Sequence, residues 1–126
     1  VMEGRRHKDI KDDPRVAPYL QDMWGTPPEG GESMHMLQFR IGSALNHYAK
    51  NLPEQINDVV IFTHGGVMMA AFAHASGQRM IDVFHDKKAE KTPSFSYVST
   101  LELTYDRCQG VWRQGFDYQT GLRKPA

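Results

Sequence analysis

Val59-Val-Ile-Phe-Thr-His-Gly-Gly-Val67 is the stretch on which the fold turns. Val59 to Phe62 form a short unbroken apolar run, rich in β-branched residues, of the kind found in strands covered on both faces. Gly65-Gly66 break the run, and Val67, Met68, Ala71, Phe72 and Ala75 then recur at helical spacing until Gly77. The pattern predicts strand, tight turn and helix, which is an α/β arrangement. It places His64 at the carboxyl end of a buried strand, where such sheets bind ligands.

Working outward toward the N-terminus, Leu37, Ile41, Ala44, Leu45 and Tyr48 keep helical spacing, and Ser33 stands where a hydroxyl would cap the helix. A helix from Ser33 to Lys50 is expected. Gly25-Thr-Pro-Pro-Glu-Gly-Gly31 ahead of it is a loop by composition, and Arg5 to Trp24, interrupted by Pro14 and Pro18, allows only short helices. Toward the C-terminus a second short helix is expected from Gln78 to His85. It is followed by the charged run Asp86-Lys-Lys-Ala-Glu-Lys91, expected to face solvent. Tyr97, Leu101, Leu103 and Tyr105 alternate with polar residues, and after the turn Asp106 to Gly110 a second strand starts at Val111, so the chain closes with a hairpin. The polar tail after Tyr118 is expected to be mobile.

Helix N-termini present unpaired N–H groups and partial positive charge, and glycines let an anion approach the backbone closely. His64, Gly65 and Gly66 are therefore candidates for an anion pocket, a histidine adding a donor that becomes cationic near neutral pH. The alternative is a histidine that merely packs a turn. His35 and His47 lie three turns apart on one helix, too far to share a metal; His74 sits in an apolar helix as a partly buried side chain; His85 ends a helix. No metal and no cofactor is expected, and Met68 and Met69 are read as core fillers.

A chain of 126 residues suits one domain, residues 1–126. Fifteen lysines and arginines balance fifteen aspartates and glutamates, so no overall positive field points to nucleic acid. No apolar run approaches the roughly 20 residues that span a bilayer. The single cysteine, Cys108, excludes an internal disulfide framework and fits a reducing, cytoplasmic setting.

Gly30-Gly-Glu-Ser33, a helix containing Arg40, and the His64 stretch, in that order, resemble the histidine phosphatase superfamily, the phosphoglycerate mutase-like group. The likeness is nearer to its broad-specificity and alpha-ribazole phosphatase-like branch than to the mutases. Glu3-Gly4 resembles the pattern that follows the family's acidic residue. The resemblance implies a three-layer α/β/α sandwich and phosphoryl transfer through a phosphohistidine, most simply hydrolysis of a small phosphate monoester. It implies that His64 is the pocket's second histidine, a catalytic group that stabilises the transferring phosphoryl without being the nucleophile. Gly65 would offer its N–H to the same group, with Glu32 and Ser33 near the pocket mouth, although Ser33 is better explained as a helix cap.

The family's nucleophile sits in an Arg-His-Gly motif, and no Arg-His-Gly occurs here. Arg6-His7-Lys8 lacks the glycine and follows no apolar strand, and Glu3 matches the general acid only if the correspondence slips. The chain thus reads as the C-terminal portion of such a domain, without the strand that carries the first histidine. That gap predicts a homo-oligomer or a complementing N-terminal segment. Two function classes remain open: part of a phosphoryl-transfer enzyme, or a non-catalytic module that binds phosphate or a protein.

Overall fold

A computed structural model of the chain describes residues 1–86, 95 and 98–120. The chain divides into two compact units, Val1–Leu37 and Gln38–Ala126, with the boundary inside one helix.

The first unit holds two short helices, α1 (His7–Ile10) and α2 (Ala17–Gln21), and the start of α3 (Met34–Asn51). Pro14 falls between α1 and α2, Pro18 occupies the first turn of α2, where a proline is tolerated, and Ile10 and Val16 are buried. Asp13 organises the polar side of this unit. Its carboxylate accepts from the Arg5 guanidinium at 2.7 Å and from that of Arg15 at 2.8 Å, while its other oxygen also takes the Arg15 backbone N–H at 2.9 Å. These bonds, those from Arg15 first, hold the Asp13 carboxyl well below the usual carboxylate range.

The start of α3 is closed. The N–H groups of Met34 and His35 donate to the carbonyls of Met23 and Trp24 at 2.9 and 3.1 Å, and Met36 N–H donates to Ser33 Oγ at 3.2 Å. The first three helical N–H groups, which a helix cannot satisfy internally, are thereby all used.

The second unit contains the rest of α3, α4 (Gly65–Ala75), α5 (Met80–His85) and a hairpin of β1 (Ser99–Asp106) and β2 (Val111–Thr120). The strands are antiparallel, with Leu101 opposite Tyr118, Leu103 opposite Phe116 and Tyr105 opposite Trp112. These six residues lie on the less exposed face, and α4 packs against both strands and α5. The core forms there, from Ala70, Phe72, Ala73, Ala75, Met80 and Val83, with Phe72 edge-on to Phe116 at 4.7 Å between ring centroids. At the turn, Asp106 Oδ1 accepts from the N–H groups of Cys108 and Gln109, and Gly110 takes a φ of +69° that favours glycine. The Gln38 side chain ties α3 to the turn that enters α5: its Nε2 donates to the Gln78 carbonyl at 2.7 Å and its Oε1 accepts from Met80 N–H at 2.8 Å.

Helices with a small antiparallel sheet are consistent with the expected α/β class. The expected helices are present, α3 running one residue past Lys50 and α5 starting at Met80 rather than Gln78. The expected strand at Val59–Phe62 is corrected: among the described residues it joins no ladder. Its side chains are exposed by 54, 78, 56 and 95% in order. The physical reason is that a strand is defined by its neighbour, and no described residue pairs with this run, β1 and β2 pairing with each other. Expectations for Lys87–Lys91, for Ser96 and Tyr97, and for the tail from residue 121 fall outside the described residues.

Asp13→Asn tests the arginine cluster. A carboxyl depressed in the folded state stabilises above the unfolded value near ~3.9 and loses that contribution as pH falls toward its folded value. The melting temperature of the wild type should exceed that of Asp13→Asn at neutral pH, and the gap should close between about pH 5 and about pH 2 in thermal scans.

Candidate functional site

The backbone at His64 is extended, with φ −118° and ψ 162°, and the helix begins at the next residue. The first α4 bond runs from Met68 N–H to the His64 carbonyl at 3.0 Å. Among the described residues nothing accepts from the N–H groups of Gly65, Gly66 or Val67, and the His64 side chain makes no cap bond. The contrast with α3 is direct. One helix start is filled by two carbonyls and a hydroxyl, and the other is left open beside an exposed imidazole.

The two glycines serve different ends. A Cβ on Gly65 would lie 3.0 Å from the Phe95 carbonyl oxygen, so the absence of a side chain lets that backbone pass. A Cβ on Gly66 would meet nothing within 4 Å, so its side is open to a ligand. An anion at this terminus would meet up to three N–H donors, the helix dipole and the imidazole, which is the chemistry of a phosphoryl oxygen clamp.

His64 and Gly65 are thus adjacent on one element of the second unit, whereas Glu32 and Ser33 belong to the first. Ser33 is 2% exposed and its hydroxyl is the α3 cap, so its observed work is structural. Glu32 is half-buried and already engaged. Among the described residues no three histidine, cysteine or acidic side chains gather as a metal site would require. Cys108 is exposed and free in the hairpin turn.

What holds α4 in place was not read from the sequence beyond a partly buried His74. His74 Nε2 lies 2.9 Å from Asn46 Oδ1, and the Trp112 indole N–H donates to the same oxygen at 2.8 Å. An indole nitrogen only donates, so the Asn46 atom must be the oxygen and His74 carries its proton on Nε2. One amide thereby joins α3, α4 and β2. The other ring nitrogen of His74 faces Gly42, where a Cβ would sit 2.4 Å from Nδ1. Burial pushes the His74 pKa down, favouring the neutral ring.

A sequence model of the histidine phosphatase superfamily (branch 1) matches residues 1–114. No curated protein and no solved structure gives a significant match. No helix among the described residues is long and apolar enough to cross a membrane.

Gly42→Ala should destabilise the chain by about 1–3 kcal/mol in urea unfolding, because the pinned imidazole cannot retreat, and this outweighs the ~1 kcal/mol gained in helix propensity. His74 supplies a pH signature. With a folded pKa below the unfolded value near ~6.5, protons bind the unfolded chain first as pH falls, and stability is lost. The stability advantage of wild type over His74→Gln should therefore shrink from about pH 7 to about pH 5 in unfolding curves.

Proposed function

Because the chain belongs to the histidine phosphatase superfamily, we propose that it supplies the phosphate clamp of a site that transfers a phosphoryl group through a phosphohistidine, acting as a phosphatase on a small phosphate monoester. The observation that carries this reading is the N-terminus of α4, where no described residue accepts from the N–H groups of Gly65, Gly66 and Val67 beside the exposed His64. In the first step a nucleophilic histidine nitrogen bonds to phosphorus while the ester oxygen leaves and takes up a proton. In the second, water attacks the same phosphorus, the P–N bond breaks and inorganic phosphate departs. His64 and the Gly65 N–H neutralise the charge that builds on the equatorial oxygens in both steps.

The nucleophile is not His64. No Arg-His-Gly stands among the 126 residues, so we assign that histidine to a strand supplied by a longer polypeptide or by another chain. Within such a whole the sheet would complete the three-layer sandwich implied by the family resemblance, with the alpha-ribazole phosphatase-like branch as the proposed subgroup and the cytoplasm as the proposed location. Glu32 is proposed near the mouth of the pocket. The absence of the motif also favours a second reading of these residues taken alone, a phosphate-binding module without turnover.

Phosphate titration followed by NMR on residues 1–126 tests the clamp. Inorganic phosphate should shift the Gly65 and Gly66 amide signals with a dissociation constant in the millimolar range, and His64→Ala should weaken binding at least about tenfold. With p-nitrophenyl phosphate, residues 1–126 should show little or no turnover. A longer polypeptide bearing the nucleophile should turn over and lose about 10²–10³ in kcat with His64→Ala. Phosphate binding that His64→Ala leaves unchanged would overturn the assignment.

A further inference from the structure

The two ring nitrogens of His74 have unlike surroundings. Nε2 donates to Asn46 Oδ1 at 2.9 Å, and the Trp112 indole ring stands edge-on to the imidazole at 6.3 Å between centroids. Nδ1 lies against Gly42, where a Cβ would come within 2.4 Å of it and within 2.8 Å of Cγ and Cε1. Among the described residues no group hydrogen-bonds Nδ1. It faces the bare Cα of a helix interior, whose carbonyls are engaged along the helix axis. A neutral ring with its proton on Nε2 fits this place. A second proton, on Nδ1, would press a charged donor against carbon.

No neighbouring charge would offset that proton. Apart from His74 itself, α4 has no ionisable residue, and α3 has no carboxylate. Gln38 and Ala49, on the same stripe of α3 as Gly42 and Asn46, do not ionise, and Arg40, His47 and Lys50 of that helix are exposed. The less exposed face of the hairpin brings the phenols of Tyr105 and Tyr118, a group that is uncharged near neutral pH. On α5, Asp82 pairs with Arg79 at 3.0 Å and His85 stacks on Phe84. The His74 pKa is pushed down by burial, with no charge contributing, which agrees with a closed site that refuses the second proton.

We propose that His74 is a proton-operated latch between α3 and α4. With Nδ1 bare, the ring closes on Gly42. When Nδ1 takes a proton, the ring leaves that contact for water. Two ties without a titrating group then keep α3 in place, Trp112 to Asn46 and Gln38 to Gln78 and Met80. The opening is therefore local, and the fold survives it. One proton enters from water for each ring released, so each pH unit below the value of the open ring lowers the closed-to-open ratio about tenfold. The latch uses no group of the His64 site and does not rest on phosphoryl transfer.

Proton NMR of the full 126 residues across the acid range is the test. The Overhauser contact between the His74 Cε1 proton and the Gly42 α-protons should fall at least about threefold between about pH 7 and about pH 4. The Trp112 indole N–H and Met80 amide signals should persist through that change. His74→Gln, whose side-chain amide reaches Asn46 without titrating, should show no matching step in the Gly42 signals. A ring contact that persists at the acid end, a Trp112 indole signal lost together with that contact, or a Gly42 step of equal size in His74→Gln would each overturn the proposal.

Discussion

The Asn46 side-chain oxygen is the junction on which the second unit depends. It accepts from the Trp112 indole and from His74, and so fixes β2 and α4 to α3 through a single acceptor atom. A carbonyl oxygen has two lone pairs, and both are committed. Removing the amide would leave two partly buried donors without an acceptor, a heavier loss than one ordinary hydrogen bond. Gly42 belongs to the same junction, because the close approach of α3 to the imidazole is possible only where the helix carries no side chain. The cost of a glycine inside a helix is offset by that contact.

From this junction α4 runs back to His64, where the two helices differ in how their first turns are closed. Both begin after an extended or capping residue, and both must dispose of N–H groups that the helix leaves over. In α3 the loop carbonyls of Met23 and Trp24 and the Ser33 hydroxyl take them, which rigidifies the helix entrance and leaves nothing for a ligand. In α4 no described residue accepts from the same groups, and a Cβ on Gly66 would meet nothing within 4 Å. A capped terminus spends its donors on stability, and an uncapped one leaves them for water or a ligand.

Much of this could be read in the sequence where the signal is local. Ser33 marks the start of α3 because a hydroxyl cap acts over three residues, and Gly65-Gly66 mark the start of α4 because glycine alters the backbone at its own position. The family resemblance drawn from the order of the Gly-Glu-Ser and Thr-His-Gly-Gly segments agrees with the match over residues 1–114. The strand at Val59–Phe62 was not deducible in the same way. Its apolar run states what environment the residues require, and pairing depends on a neighbour distant in sequence or outside it. The Asn46 junction escaped for a related reason: His74 and Trp112 lie 28 and 66 residues from Asn46, and no spacing rule connects them.

The hairpin bears on how the molecule associates. Between the pairs Leu103–Phe116 and Tyr105–Trp112, β1 advances by two residues and β2 by four, so Arg113, Gln114 and Gly115 bulge opposite Thr104. The bulge opens a shallow groove of about 250 Å³ on the outer face, lined in part by Glu102, Arg113 and Asp117. A kinked ladder with charges on its outer surface resists the addition of further strands. The hairpin is thus a poor template for growth. A hydrogen-bonded ladder that ends in a kink and a charged rim is thereby confined to the two strands that form it.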